Sequence, residues 1–385
     1  MNRTIVDIHI LQTVPPSNLN RDDTGSPKTA TYGGVRRARV SSQAWKKATR
    51  DAFDAYLDES ELGTRTKRVV ETLAERIEAL EPDITAEDAR KAAEAVFTAA
   101  KIKLTAPPAK KGAQTDVKVA KESDYLLFLS AQQLDAAARL AIESHHDGEK
   151  PDGKQAHAIL KNDNSIDLAL FGRMVADVTD LNVDASCQVA HALSTHAVES
   201  EYDYFTAVDD QKAAHAGEDA GAGMIGTVEF NSATLYRYAT IDANLLSKNL
   251  GEGEATRRAV EAFLCAFVYS MPSGKINTFA NHTTPDAVYI SVREDRPVSY
   301  VGAFENAIPN ALTGGRVEPS VAALSKYARE VAEDFGDKSI RCWVSGVGKV
   351  AAPLEELGER VAFAEAVVAV GGLVAERLDA APAVA

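Results

Sequence analysis

The chain has 385 residues, 45% of them hydrophobic and 25% charged, with a formal net charge of −14. That is enough for one large domain with insertions or two to three units, and its acidity argues against a generally basic nucleic-acid binder. Cys187, Cys265 and Cys342 are scattered and odd in number, which argues against a disulfide framework and fits a reducing, cytoplasmic setting. No apolar run approaches the roughly 20 residues needed to span a bilayer, and Met1–Leu11 is too short and too alternating for a signal peptide, so no membrane association is expected.

Residues 4–12 predict a strand in which Val6, Ile8 and Ile10 form a core face while Asp7 and His9 form a polar one. Pro15-Pro16 ends it, and a polar loop is expected from Ser17 to Gly34. A helix follows from about Ser42 to Leu57, with Ser41 or Ser42 as its N-cap. Residues 17–50 carry eight cations (Arg21, Lys28, Arg36, Arg37, Arg39, Lys46, Lys47, Arg50) against Asp22 and Asp23, a net of +6 that leaves −20 for the rest of the chain. A compact cationic island on an acidic protein suits a polyanion without general stickiness. On a helical wheel Gln43, Lys46, Lys47 and Arg50 share one side, and Trp45, Ala48, Ala52, Ala55 and Tyr56 the other. A solvated surface helix would show the same wheel, and the basic run upstream is what favours binding.

Residues 60–165 are Ala-rich, charged and helical in period, interrupted by polar linkers at Ala106–Gly112 and His145–Gly153. They predict a helical insertion in a sheet-based domain. Beyond Ile166, Gly226–Phe230 and Thr234–Tyr238 suggest paired strands around Asn231-Ser232. Ala255–Ser270 suggests a helix, Val288–Val292 a strand, and Pro319–Phe335 and Glu355–Leu378 helices flanking a strand at Ile340–Ser345. The outer elements describe an α+β sandwich, ferredoxin-like in outline, with insertions. The tail from Asp379 is expected to fray.

Several constellations admit both a chemical and a plain reading. Asp22-Asp23 could be metal-binding or acid–base carboxylates, or could cap turns and pair with arginines. Cys187 and His191, spaced one helical turn apart, suggest zinc, but His196 falls off that face and a buried cysteine with surface histidines explains the pattern as well. Ser273-Gly274-Lys275 lacks the spacing of a phosphate loop, and Gly371-Gly372 suggests close helix packing. Met174 can fill a core or wedge against a base. Asp203–Asp210 sets Tyr204 and Phe205 between acids ahead of Gly217, Gly221 and Gly223, which suits either packing or stacking on exposed bases.

Five segments together resemble one family: Pro16–Asp23; Gly33-Gly34 with Arg36–Gln43; Asp167–Met174; Phe205–Asp210; and Phe230 with Leu235–Ala239. In that order, over nearly the full length, the chain resembles the CasC (Cse4) family, the repeated backbone subunit of the type I-E CRISPR complex Cascade. The match is weakest at 60–165. The resemblance implies a modified RNA-recognition-motif palm at 1–59, 166–194 and 226–385, a helical finger insertion at 60–165, and a thumb hairpin at 195–225. It implies a non-catalytic subunit that polymerises along a CRISPR RNA (crRNA) and presents it for target DNA pairing in antiviral defence, with no cofactor. The implied partners are crRNA, target DNA through the guide, further copies in a filament, other Cascade subunits and an effector nuclease-helicase.

By the same resemblance Arg21, Lys28, Ser41, Gln43, Lys46 and Arg50 hold the RNA backbone. Met174, Phe205 and Thr206 wedge at kinked nucleotides, and Tyr204 stands where relatives often carry a larger aromatic. The aromatic signature of an ordinary RNA-recognition motif is missing, so loop and thumb must carry the grip. A metal-dependent RNase using Asp22 or Asp23 is the enzyme alternative. A module that meets an acidic protein partner is the plain one.

Overall fold

The computed structural model describes residues 3–107, 120–207, 224–251, 253–310, 315–336 and 339–380, and its architecture is α+β. Two units share the chain: Met1–Ala52, Gln188–Ile241 and Phe263–Ala385 form the first, and Phe53–Cys187 with Asp242–Ala262 the second.

The first unit is built on a large mixed sheet. Its strands are β1 (Ile5–Ser17), β2 (Thr29–Tyr32), β3 (Val35–Val40), β4 (Ala192–Ser194), β5 (Glu201–Ala207), β6 (Met224–Asp242), β7 (Ala287–Arg293), β8 (Ser339–Gly346) and β9 (Glu359–Arg360). The order across the sheet is β9-β8-β7-β1-β6-β4-β3-β2, with β5 and a tenth, short strand at Cys187–Val189 both paired to β6. β1 and β7 are antiparallel from Ile5 opposite Arg293 to Leu11 opposite Ala287, β7 and β8 are antiparallel, and β8 and β9 run parallel.

Four expectations change here, the first being that β1 runs on through Pro15-Pro16 to Ser17. The stretch taken as a loop to Gly34 contains the β2–β3 hairpin, turned at Gly33 (φ 58°) and Gly34 (φ 77°), where two consecutive left-handed residues match the strand twist. β6 is one strand across Asn231-Ser232, because β5 pairs with its first part and β4 with Leu235 and Tyr236, so cross-strand bonding overrides the local turn preference. β1 has no polar face in contact with water, since Ile5 through Gln12 are all buried.

The face of β1 expected to be polar instead meets a layer of tyrosines. Tyr238 Oη donates to Asp7 Oδ1 at 2.8 Å and the Val298 amide to Oδ2 at 2.9 Å, while His9 Nδ1 lies 2.8 Å from Tyr236 Oη. Burial drives the Asp7 carboxyl up to about 6 and the His9 imidazole down to about 3. Tyr289, Tyr300 and Phe304 complete the layer, and Val321, Leu324 and Ala328 of a helix at Val317–Phe335 pack in the same core. The region expected to be helical from Glu355 instead holds a short turn at Ala352–Glu356 and β9, and the α-helix begins at Phe363 and runs to Asp379.

The second unit packs helices Val69–Leu80, Ala86–Ala99, Ala131–Asp147 and Gly153–Lys161 around one apolar core. Thr85, Ser130 and Asp152 cap three of them by accepting amide bonds. His145 and His146, expected in a linker, form the last turn of their helix, which Gly148 ends at φ 66°. The later residues of the Ala106–Gly112 linker lie outside the described residues.

Candidate nucleic-acid interface

The cationic helix α1 spans Ser42–Ala52. Ser41 is its N-cap: the hydroxyl accepts from the Ala44 amide at 3.3 Å, and the Ser41 carbonyl from the Trp45 amide at 3.2 Å. Trp45 and Thr49, one turn apart, are buried. Trp45 lies on the Arg237 guanidinium, 3.7 Å from ring centroid to cation, with Phe267 at its edge. Arg237 in turn donates to Gln12 Oε1 at 2.6 Å and to the Phe267 carbonyl. Burial alone lowers that guanidinium to about 9, so a buried cation holds the helix from below.

This anchoring turns Gln43 and Lys47 outward and leaves Lys46 and Arg50 half-buried on the flanks. Lys47 is committed to Asp51 at 2.6 Å. The α-helix stops at Ala52, sooner than the wheel implied, and Ala55 and Tyr56 are exposed, because a tighter turn at Phe53–Ala55 breaks the periodicity.

Residues 17–28 form a tied loop. Asn18, fully buried, donates from Nδ2 to the carbonyls of Gly25 (3.0 Å) and Glu229 (2.9 Å), which fastens the loop to β6. Asn20 joins the loop to α1: its side-chain oxygen accepts from the Ser41 amide at 3.0 Å and its carbonyl from the Lys28 amide at 2.8 Å. The Lys28 carbonyl then accepts from the Arg39 amide at 2.9 Å. Lys28, Ser41 and the start of α1 are thereby brought together by one asparagine, whose bonds to distant backbone leave no local signal in the sequence.

Arg21 is exposed. Asp22 Oδ1 accepts from the Thr24 amide (2.9 Å), the Thr24 hydroxyl (2.7 Å) and the Ser26 amide (3.0 Å), and these bonds hold the carboxyl below its usual range. Asp22 therefore shapes the turn. Leu19–Gly25 and Gly274 line an open cup of about 550 Å³.

Not all of the cationic island is surface. Arg37 is buried and donates to the carbonyls of Tyr32, Ser194, Phe304 and Glu305, which makes it a brace for the sheet edge.

On the β5–β6 hairpin Phe205 faces Gly226, and a methyl group there would fall 2.5 Å from Phe205 Cζ. The far end of the ring (Cζ, Cε1 and Cε2) sits over the glycine, and the side chain is half-buried. Alternation puts Tyr202, Tyr204 and Thr206 on the opposite face with Ile225, exposed at 68%, 64% and 57% for the two tyrosines and Ile225. Val208, Asp209, Asp210 and the three glycines after them lie outside the described residues.

Met174 belongs to the second unit and is 82% exposed, so it fills no core there. The Arg173 beside it is buried on the carbonyls of Phe128, Leu160 and Leu181.

The helical spacing of Cys187 and His191 does not exist: Cys187 opens a strand to Val189 and His191 lies in the turn before β4. His196 is buried, pushed down to about 4, and accepts from the Thr234 amide through Nε2 at 3.0 Å. No group of three or more metal-capable side chains occurs among the described residues. His191 was missed as a member of the cationic site. Its Nδ1 accepts from the Ser42 amide at 3.3 Å and stands 3.5 Å from Arg39 Nη1, and about 150 residues of chain separate it from them.

Fold and site together define an α+β protein with a preformed cationic loop-and-helix face beside an aromatic-bearing hairpin. A family model described as CT1975-like protein, a Cas family, matches residues 6–369, and the chain belongs to that family. A chain of a solved "CRISPR RNA-guided surveillance complex, pre-nicking" is 35% identical, with a TM-score of 0.83 over 96% of this chain and 100% of that one. A chain of a second "CRISPR RNA-guided surveillance complex" is 30% identical, with a TM-score of 0.72 over 97% and 99%. No curated protein matches.

Proposed function

We propose that this protein is a non-catalytic guide-RNA-binding subunit of a type I-E CRISPR surveillance complex, repeated along the crRNA spacer as its backbone. The observation that carries this reading is the end-to-end match, at 35% identity, to a chain of an RNA-guided surveillance complex. In this reading the first unit is an RNA-recognition-motif-like palm, the helical unit is the finger insertion, and the β5–β6 hairpin belongs to the thumb.

Arg21, Lys28, Lys46 and Arg50, with the polar groups of Ser41 and Gln43, hold phosphates. Such contacts position the strand and leave its bases free, as guide-directed recognition requires. Phe205 and Thr206 on the hairpin, and Met174 in the helical unit, interrupt base stacking and divide the guide into short presented stretches.

The test is purification of the chain with its operon partners, followed by absorbance at 260 nm and sequencing of any bound RNA. A retained RNA of guide length supports the scaffold; its absence points to an acidic protein partner. Cleavage of complementary RNA with Mg²⁺, abolished by Asp23→Ala, would replace the scaffold with the RNase reading.

A further inference from the structure

His191 stands at the cationic face and has no part in the phosphate contacts assigned above. Its ring is exposed, and Nδ1 accepts from the Ser42 amide at 3.3 Å, with Arg39 Nη1 at 3.5 Å. A ring that accepts at Nδ1 carries its proton on Nε2 and is neutral. The groups bearing on it come from three places: Ser42 at the start of α1, Arg39 on β3, and Lys28 in the loop. Partial burial, Arg39 and Lys28, in that order, hold the imidazole below its ordinary value, and no carboxylate is among its shifting groups. On a chain of net charge −14, Arg39 and Lys28 give His191 a locally cationic setting that suits an anion.

We propose that His191 is a further ligand of the RNA phosphate backbone, one that takes up a proton as the strand binds. The inference rests on the assignment of Lys28, Ser41 and their neighbours to RNA binding. A phosphate oxygen entering between Lys28 and Arg39 reverses the local field, so the protonated ring becomes the favoured form. The Ser42 amide then donates to the phosphate, and Nδ1, released as an acceptor, takes one proton from solvent and donates as well. One N–H bond forms at Nδ1 with a proton given up by solvent or buffer, no other covalent bond changes, and the added positive charge is matched by the phosphate.

The test uses the full-length chain and a fluorescent oligouridine RNA, titrated by anisotropy between about pH 5.5 and 8.5 at constant ionic strength. Wild type should bind more tightly as pH falls, by about tenfold for each unit by which RNA raises the histidine. His191→Gln keeps a neutral acceptor for Ser42 but cannot take up the proton, so it should lose the acid-side gain and leave a flatter pH profile than wild type. At low pH its log–log salt slope should be shallower by about 0.7, one phosphate contact on a single strand.

Parallel pH profiles for wild type and variant would overturn the proposal. Should the variant fail to fold, calorimetry of the wild type in two buffers of different ionisation enthalpy gives the answer directly, because absence of proton uptake on binding overturns it. A wild type that binds no oligouridine at any pH would instead sink the RNA-binding assignment itself, and this inference with it.

Discussion

Gly274→Ala should damage the RNA grip although residue 274 itself touches no RNA in the proposed arrangement. A Cβ at that position would lie 2.1 Å from the Leu19 carbonyl oxygen and 2.6 Å from that of Asn18. Ordinary contact begins near 3.4 Å, so the backbone of the 17–28 loop must retreat by more than 1 Å. Asn18 cannot follow freely, because its two Nδ2 bonds of 2.9 and 3.0 Å run to Glu229 and Gly25. Losing one of these in a buried site costs about 1–3 kcal/mol, and the overpacking itself adds about as much. The expected sum is about 2–5 kcal/mol in denaturant unfolding. The same displacement moves Asn20 away from the Ser41 and Lys28 amides and should weaken oligouridine binding by about tenfold or more, measured under conditions where the variant is folded. Gly25→Ala is the control: it is in the same loop at φ 90°, but no atom lies within 4 Å of the added methyl. It should cost only the left-handed strain of about 1–2 kcal/mol. Equal effects from the two substitutions, or a Gly274→Ala protein with wild-type stability and binding, would refute the bracing of one loop by the other.

Three further outcomes are expected. Lys46→Glu with Arg50→Glu should abolish guide retention in the purified complex while leaving far-UV dichroism unchanged; normal RNA occupancy would contradict the assignment. Asp7, raised from 3.8 to about 6 by burial, contributes stability that is complete below the lower value and lost as pH rises through the upper one, about 3 kcal/mol in all. Asp7→Asn should accordingly gain on wild type by up to that amount in unfolding experiments between about pH 4 and 7.5, and a pH-independent difference would refute this. Gly226→Ala should unseat the Phe205 ring, seen as a changed near-UV dichroic band and an altered periodicity of nuclease protection along bound RNA, with a smaller change in affinity; an unmoved ring signal would contradict the close seat on the glycine.

How far the sequence could be followed depended on whether its signals were local. The strand at Ala287–Arg293 and the helix at Val317–Phe335 carry their own periodicity, and both were legible. β3 was hidden because Val35-Arg36-Arg37-Ala38-Arg39-Val40 spends charged residues on a strand, one of them the buried Arg37. Asp7 and His9 misled for the opposite reason: alternation marks which residues share a face, but a second layer of tyrosines can bury both faces. Of the candidate site, the helix face was legible from a wheel, and Met174 could not be assigned because exposure is a tertiary property. Asn20 and His191 act through hydrogen bonds to distant backbone, for which no spacing rule exists.

The charge count that first marks residues 17–50 overstates the grip. Arg37 is buried among carbonyls, so not every cation that the sequence displays is open to a phosphate. Four or five phosphate contacts on a single strand lose on the order of a hundredfold in affinity between 50 and 200 mM salt. One copy of this chain should therefore hold RNA weakly at physiological ionic strength. In the proposed scaffold a single site need not supply more, because each bound copy would present the next stretch of RNA at high effective concentration and avidity would supply what the single site lacks. Pre-organisation does the rest: Asn18, Asn20 and Asp22 fix the loop, and Trp45 on Arg237 fixes the helix, so little ordering remains to oppose binding. On the proposed reading, few charges on a rigid frame would give an acidic protein selective hold of a polyanion that many charges on a flexible one would bind indiscriminately.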